Sequence, residues 1–437
     1  MTLSCLLVVR PTYSEALTSS SILREEAGSI CKTVEIPRIV VKEDSNISNF
    51  IDISPMSYDL QESYILINVS DYFGATDSER IQNALDDVPD EGAIVFIPSG
   101  IWVAFNLIAK SKTIVMGASE TILKRPENTT SPFLIFNNRS SFAVTSILFD
   151  GQNISQATGI SITSCIHFEI VNNTFVDVSR NAIHVNGVCE DFEIKQNKFT
   201  RCNIATILVF GSPGERSISN FTIANNILTD GIDNGKIGIA FSANGTVANN
   251  NVTNCEYGIA TRCVSHIILR NNFIADCIGY AIYLGTQPGD LGSDNIEIIN
   301  NRVANCNIGV SRYYGSYPIY NITLLDNSLV HNEQWDIYAD FPATFINNTI
   351  TSIEKLKILD TNVNFIGTMD VEGQPILPGD IDDDLRIDMR DIGMVARLFG
   401  SDSSSGNWNP SADIIWDGVI DMKDIAFVTR RFGFQYI

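Results

Sequence analysis

At 437 residues the chain has room for one large domain and one small one, and 51 acidic against 29 basic side chains leave a formal net charge of −22. That charge repels a phosphate backbone, which excludes nucleic acid as a partner, and it suits a soluble surface protein or a calcium binder. No apolar run approaches the ~18 residues of a membrane-crossing helix, so no transmembrane segment is expected.

Residues 1–65 have no clear period and read as a leader followed by an irregular lead-in. Leu3 to Val9 is apolar but short and lacks a basic start. It is either the remnant of a signal peptide or an ordinary disordered start. Sequons at Asn46, Asn68, Asn128 and Asn321 permit glycosylation, although an asparagine-rich chain produces some by chance.

Residues 66–360 read as the large domain. The run from Thr76 to Leu85 carries helix signals: Thr76 and Glu79 make a capping box, and Ile81, Ala84, Leu85 and Val88 share one face. Such a helix would cover the open end of a stack of strands, where unpaired backbone and apolar core otherwise meet water. Gly92 to Gly100 and Thr113 to Gly117 then read as buried strands closed by turns.

From Cys165 to Ile350 a short apolar run ends, eight times, in a polar pair, usually Asn-Asn. The second members are Asn173, Asn197, Asn226, Asn250, Asn272, Asn301, Asn327 and Asn348, spaced by 24, 29, 24, 22, 29, 26 and 21 residues. Two places after each stands an apolar residue, from Phe175 and Phe199 to Ile350. A period in the twenties with two-residue alternation, as in Phe221-Thr-Ile-Ala, indicates a solenoid of parallel strands with loops of variable length. Stacked coils place equivalent residues ~4.8 Å apart, so buried asparagines can bond to one another up the stack. Cys202, Cys255, Cys277 and Cys306 fall five places after their asparagines, and Cys165 and Cys189 eight places before theirs. They read as inward stacks of thiols, with disulfides between adjacent coils as the alternative. No C-x-x-C spacing points to zinc.

The order Phe73-Gly-Ala, capped helix, Val95-Phe-Ile-Pro-Ser-Gly100, Ile114-Val-Met-Gly117, followed by these repeats, resembles the pectate-lyase-like superfamily over residues 69–350. The resemblance implies an all-β fold, a right-handed parallel β-helix. It does not choose among lyases, glycoside hydrolases, epimerases and non-catalytic binding proteins.

Residues 361–378 carry Gly and Pro and read as a linker. Residues 379–437 form a second domain with its own duplication: Asp380 to Asp391 recurs 33 residues later as Asp413 to Asp424, each copy followed by an apolar helix pattern. A hard cation needs several oxygens from one short loop. The first copy offers Asp380, Asp382, Asp384, Asp388 and Asp391 with the Arg386 carbonyl. The second offers Asp413, Asp417, Asp421 and Asp424 with the Val419 carbonyl. Ile415 replaces one ligand of the second loop, and Leu385 stands where a sharp turn prefers glycine. The segment resembles a type I dockerin, a small α-helical, EF-hand-like domain. The resemblance implies Ca2+ as cofactor and a cohesin-type domain as partner. It also implies recognition through Met389 and Arg390 or, equivalently, Met422 and Lys423, which would allow two orientations.

In similar β-helices sugars lie along one outer sheet. Here that sheet contains Ala182-Ile-His184, Thr206-Ile-Leu208, Gly238-Ile-Ala240, Gly258-Ile-Ala260, Ala281-Ile-Tyr283 and Asp336-Ile-Tyr338. Inward isoleucines leave His184, Leu208, Ala240, Ala260, Tyr283 and Tyr338 outside. Tyr283, Tyr313, Tyr314, Tyr317, Trp335 and Tyr338 make a candidate glycan surface, with ordinary loop packing as the alternative. Four places after the asparagines lie Asp177, Arg201, Asp230, Asn254, Asp276, Asn305 and His331. Asp230 and Asp276 would be two rungs, ~10 Å, apart, near the separation of inverting glycosidases. Asp233 and Glu256 lie in neighbouring turns, and Arg262 is the candidate base for a lyase. The plainer reading of the column is a solvated charge ladder, Asp177–Arg201–Asp230. The chain is therefore expected to be a secreted or cell-surface protein that binds or degrades a polysaccharide, as a glycoside hydrolase or polysaccharide lyase. The alternative is a non-catalytic adhesion protein on the same frame.

Overall fold

The computed structural model describes residues 64–231, 235–285, 291–313 and 318–435. Nearly all of the expected leader therefore lies outside the described residues. Three parallel sheets of 13, 12 and 11 strands wind into one solenoid. The first runs from Ile65–Asn68 to Val363–Ile366, the second from Gly100–Val103 to Met369–Asp370, and the third from Leu107–Ile108 to Leu356–Ile358. Equivalent residues pair directly between coils: Phe168 with Phe192, Phe175 with Phe199, Ile183 with Ile207. Helix α1 (Asp77–Asp86) closes the first coil, burying Ile81, Ala84 and Leu85. Asp77 and Ser78 accept from the Val103 and Phe105 N–H groups, and Gln82 exchanges bonds with Ile108.

The asparagine column is an unbroken ladder. Each side-chain amide before Asn348 donates to the carbonyl oxygen of the next asparagine, at 3.2 Å from Asn173 to Asn197 and 2.9 Å from Asn327 to Asn348. Each also donates to a backbone carbonyl of the preceding coil, as Asn250 does to Ile223. All eight are buried. The residue before each ladder asparagine is left-handed, with φ 55° at Asn249 and 54° at Asn271. Asparagine tolerates that region best among residues with a Cβ. The Asn-Asn pair thus has two separate causes: a turn at its first member and a buried amide at its second.

Aromatic rings stack in parallel with this ladder. Phe142, Phe168, Phe192 and Phe221 have centroids 5.0, 4.6 and 5.4 Å apart. The column stops at Gly245, where a Cβ would stand 2.1 Å from the Phe221 ring. Gly245→Ala is expected to displace that ring and destabilise the protein by about 1–3 kcal/mol. Urea unfolding checks this, and an unchanged midpoint would mean that the ring yields without strain. The described cysteines are all free and buried, so the inward thiol stacks are observed and the inter-coil disulfides are not. Burial pushes the Cys202 thiol up to about 12 and that of Cys255 to about 11, which removes thiolate reactivity at neutral pH.

The stretch read as a linker, 361–378, is in part another coil. Val363–Ile366 pairs with Ala343–Ile346, and Met369–Asp370 with Thr349–Ile350. The ladder position of this coil holds buried Thr368, so the asparagine signal fades while the strands continue. Beyond it come helices α2 (Met389–Arg397) and α3 (Met422–Arg430), capped by Asp388 and Asp421. Ile387, Val395, Phe427 and Val428 join the same apolar core as the last coils.

Candidate functional site

Two regions gather chemistry. The first is the outward face of the third sheet. Its central column runs His184, Leu208, Gly238, Ala260, Tyr283, Ser311, Tyr338, Lys357. Ala240 belongs one column over, beside Phe210 and Arg262, because Ile237 and not Ile239 pairs with Ile207. That shift of two puts glycine and alanine at adjacent outward positions, with Tyr283 next.

Around Tyr283 the rings of Tyr257 and Tyr280 close at 5.5 and 5.9 Å, edge to face. Lys236 Nζ lies 5.0 Å above the Tyr257 ring. Burial pulls the Lys236 ammonium down to about 8, with Glu256 acting in the opposite direction. Lys357 Nζ stands 5.2 Å from the Tyr338 ring and 5.5 Å from that of Trp335, and Arg262 covers Phe241 at 5.2 Å. Sequence reading missed Lys236, Tyr257, Tyr280 and Lys357. The 23-residue interval from Tyr257 to Tyr280 is one coil, and was the available signal.

The remaining expected site residues separate. Asp233, Tyr314 and Tyr317 lie outside the described residues, and Tyr313 ends the strand Ile308–Tyr313. Asp230 and Asp276 are turn residues with φ 60° and 56°, as are Asp177 and Arg201. Their side chains are laced along the column: Asp177 with Arg201 at 2.6 Å, Asp230 with Asn254 at 2.6 Å, Asp276 with Asn305 at 3.2 Å. Short polar residues recur there because the left-handed turn favours them. Trp335 meets the Trp416 ring edge to face at 5.5 Å, which makes it a contact of the C-terminal hairpin.

The second region is the pair of acidic loops. The same bonds occur in both, 33 residues apart. Asp380 accepts from the Leu385 N–H and Asp413 from Gly418. Buried Asp391 accepts from Asp382 and Asp388, and buried Asp424 from Ile415 and Asp421. Arg386 and Val419 sit in single antiparallel bridges to Gln435 and Asp402. Leu385 is left-handed at φ 67°, where Gly418 of the second copy has φ 88°.

Residues 158–351 match the family model of the right handed beta helix region, and residues 378–433 match that of the dockerin type I domain. The chain is a right-handed β-helix protein with a type I dockerin. Among solved structures it is similar to PfbA, a surface adhesin of Streptococcus pneumoniae, at 14% identity and a TM-score of 0.54, over 70% of this chain and 90% of that one. It is also similar to a hyperthermoactive exopolygalacturonase from Thermotoga maritima, at 13% identity and a TM-score of 0.53, over 70% and 93%. Of ORF18 of Geobacillus virus E2 the chain spans 60%, at 14% identity and a TM-score of 0.46. At such identities the likeness is one of fold. No curated protein matches the chain.

Dockerin type I domains bind calcium, and the residues of the first loop fit that ion. Carboxylate oxygens of Asp380, Asp382 and Asp384 lie within 4.8 Å of one another. Asp382 Oδ1 and Asp413 Oδ1, one in each loop, are buried without a hydrogen-bond partner. Desolvation raises the Asp380 carboxyl to about 6 and also raises Asp413 and Asp424. Crowded, dehydrated carboxylates of this kind call for a cation. Met389 and Met422, expected at the partner face, are 66% and 62% exposed. Arg390 lies 3.1 Å from Asp384, and Lys423 bonds to Asp417.

Proposed function

We propose that the β-helix binds an acidic polysaccharide along the outward face of its third sheet, and that the dockerin attaches it, outside the cell, to a cohesin-bearing partner through calcium-loaded loops. Asp380, Asp382, Asp384, Asp388 and Asp391 would hold one ion. Asp413, Asp417, Asp421 and Asp424 would hold a second, with Ile415 offering no ligand.

One observation carries the glycan reading. On a chain of net charge −22, the face around Tyr257, Tyr280, Tyr283 and Tyr338 collects Lys236, Arg262 and Lys357. Aromatic faces stack on sugar rings, and the cations select carboxylates or sulfates over neutral sugars. No helix among the described residues is long and apolar enough to cross a membrane.

Binding to a panel of polyuronates and neutral glucans is the test. Polyuronates are expected to bind, with Tyr283→Ala weakening them about tenfold. Their affinity should fall as pH rises through about 8, where Lys236 gives up its charge. Equal affinity for neutral glucans, or indifference to Tyr283→Ala, would overturn the reading. The lacing of Asp230 and Asp276 into turn pairs supports a second reading, binding without cleavage. Release of reducing ends or of unsaturated uronides by the same panel excludes it.

A further inference from the structure

The two halves of the dockerin are copies, yet they differ where the domain meets the β-helix. In the second copy Trp416 rests on Trp335, and Arg430 donates to Thr361 Oγ1 at 3.0 Å and Asn362 Oδ1 at 3.2 Å. Their counterparts 33 residues earlier are Asp383 and Arg397; all four residues are exposed, and the copies differ in that the second makes these contacts with the β-helix. Position 3 of the loop is a carboxylate in the first copy, Asp382, and a buried isoleucine in the second, Ile415. Met394 is 37% exposed, whereas its counterpart Phe427 is buried. The outer face of α2 therefore carries Met389, Arg390, Gly393, Met394 and Arg397 around a concavity of about 340 Å³. The same face of α3 ends against the last coils.

We propose that the copies divide the work: the second fastens the dockerin to the β-helix, and α2 of the first is the face a cohesin-type partner takes, in one orientation only. This rests on the attachment reading given above. Met422 and Arg430 are eight residues apart, roughly 12 Å along α3. A standard interface covers ~800 Å² on each partner, so a partner seated on α3 would run into Thr361 and Asn362. Among the described residues nothing of the kind crowds α2. Its methionines can adapt to an apolar centre, and Arg390 and Arg397 call for carboxylates on the partner's rim.

The test uses the calcium-loaded full chain against an immobilised panel of type I cohesin domains. The pair Met389→Asp and Arg390→Glu is expected to weaken binding about 100-fold, as loss of a central anchor does. The matched pair Met422→Asp and Lys423→Glu should leave it within about threefold, as a rim change does. Adding Trp416→Ala and Arg430→Ala to the first pair should restore binding by freeing α3. Equal losses from both pairs, or no loss until the two are combined, would overturn the proposal. A second measurement needs no partner: labelling with phenylglyoxal and peptide mapping should modify Arg397 several times faster than Arg430. Equal rates would also overturn it. Failure of every cohesin to bind the unaltered chain sinks the attachment reading instead, and the labelling still decides whether α3 is covered.

Discussion

Asn250→Ala is expected to destabilise the β-helix by roughly 3–5 kcal/mol, because several buried polar groups lose their partner at once. The Asn250 oxygen accepts from both the backbone N–H and the side chain of Asn226, and its own amide bonds to Ile223 and Asn272. Each buried group left unpaired costs about 1–3 kcal/mol, and the site is closed to water. Coils contact only their neighbours, so the damage should divide the stack and turn one cooperative transition into two. Asn249→Gly, one residue away, is the control. That position is a left-handed turn, where glycine is at ease. Urea unfolding followed by circular dichroism distinguishes the two variants. An Asn250→Ala protein within about 1 kcal/mol of the original would mean that the ladder is ornamental.

Removing calcium should have the other large effect, confined to the C-terminal domain. So small a unit has little core of its own, and an ion binding only the folded loops at a thousand times its dissociation constant contributes about 4 kcal/mol. Chelation is expected to lose the helical signal of α2 and α3 while the strands persist. The charge state explains the direction. Burial raises the folded Asp380 carboxyl from 3.8 to about 6. Without the ion, the folded loop therefore becomes less stable as pH rises from about 4 to 6, where that group must ionise among its neighbours. A cation reverses the penalty. Asp382→Ala should cost more calcium affinity than Asp417→Ala, because the second loop already lacks a ligand at Ile415. A helical signal indifferent to chelator would rule the calcium requirement out.

The coil register was readable because each repeat places a polar pair and an apolar residue at fixed offsets, and the packing needs all three. Reading failed where a coil met the same need with another residue. Thr368 occupies the ladder site of the last coil, and its strands passed for a connection. Ile237-Gly-Ile-Ala offers two isoleucines two residues apart, both facing inward, so composition alone could not choose the frame that puts Gly238 and not Ala240 in the central column. The acids at Asp230 and Asp276 were correctly placed outside, but their left-handed backbone, which accounts for them, has no signature beyond the side chain itself. The Trp335–Trp416 contact joins residues 81 positions apart in different domains, and no periodicity links them. The duplicated acid pattern, by contrast, fixed the loops at once, because so many oxygens at those intervals have few other uses.

The dockerin meets the β-helix at its last coils, through Thr361, Asn362 and Trp335. Eleven to thirteen strands per sheet at ~4.8 Å per rung make a stiff boom roughly 55 Å long. Anchored at one end, it would carry the tyrosines nearer its base than α1, which caps the opposite end of the described coils. On the proposed readings of glycan binding and cohesin attachment, an assembly bearing many such chains would present the outward faces of their third sheets close to the points of attachment.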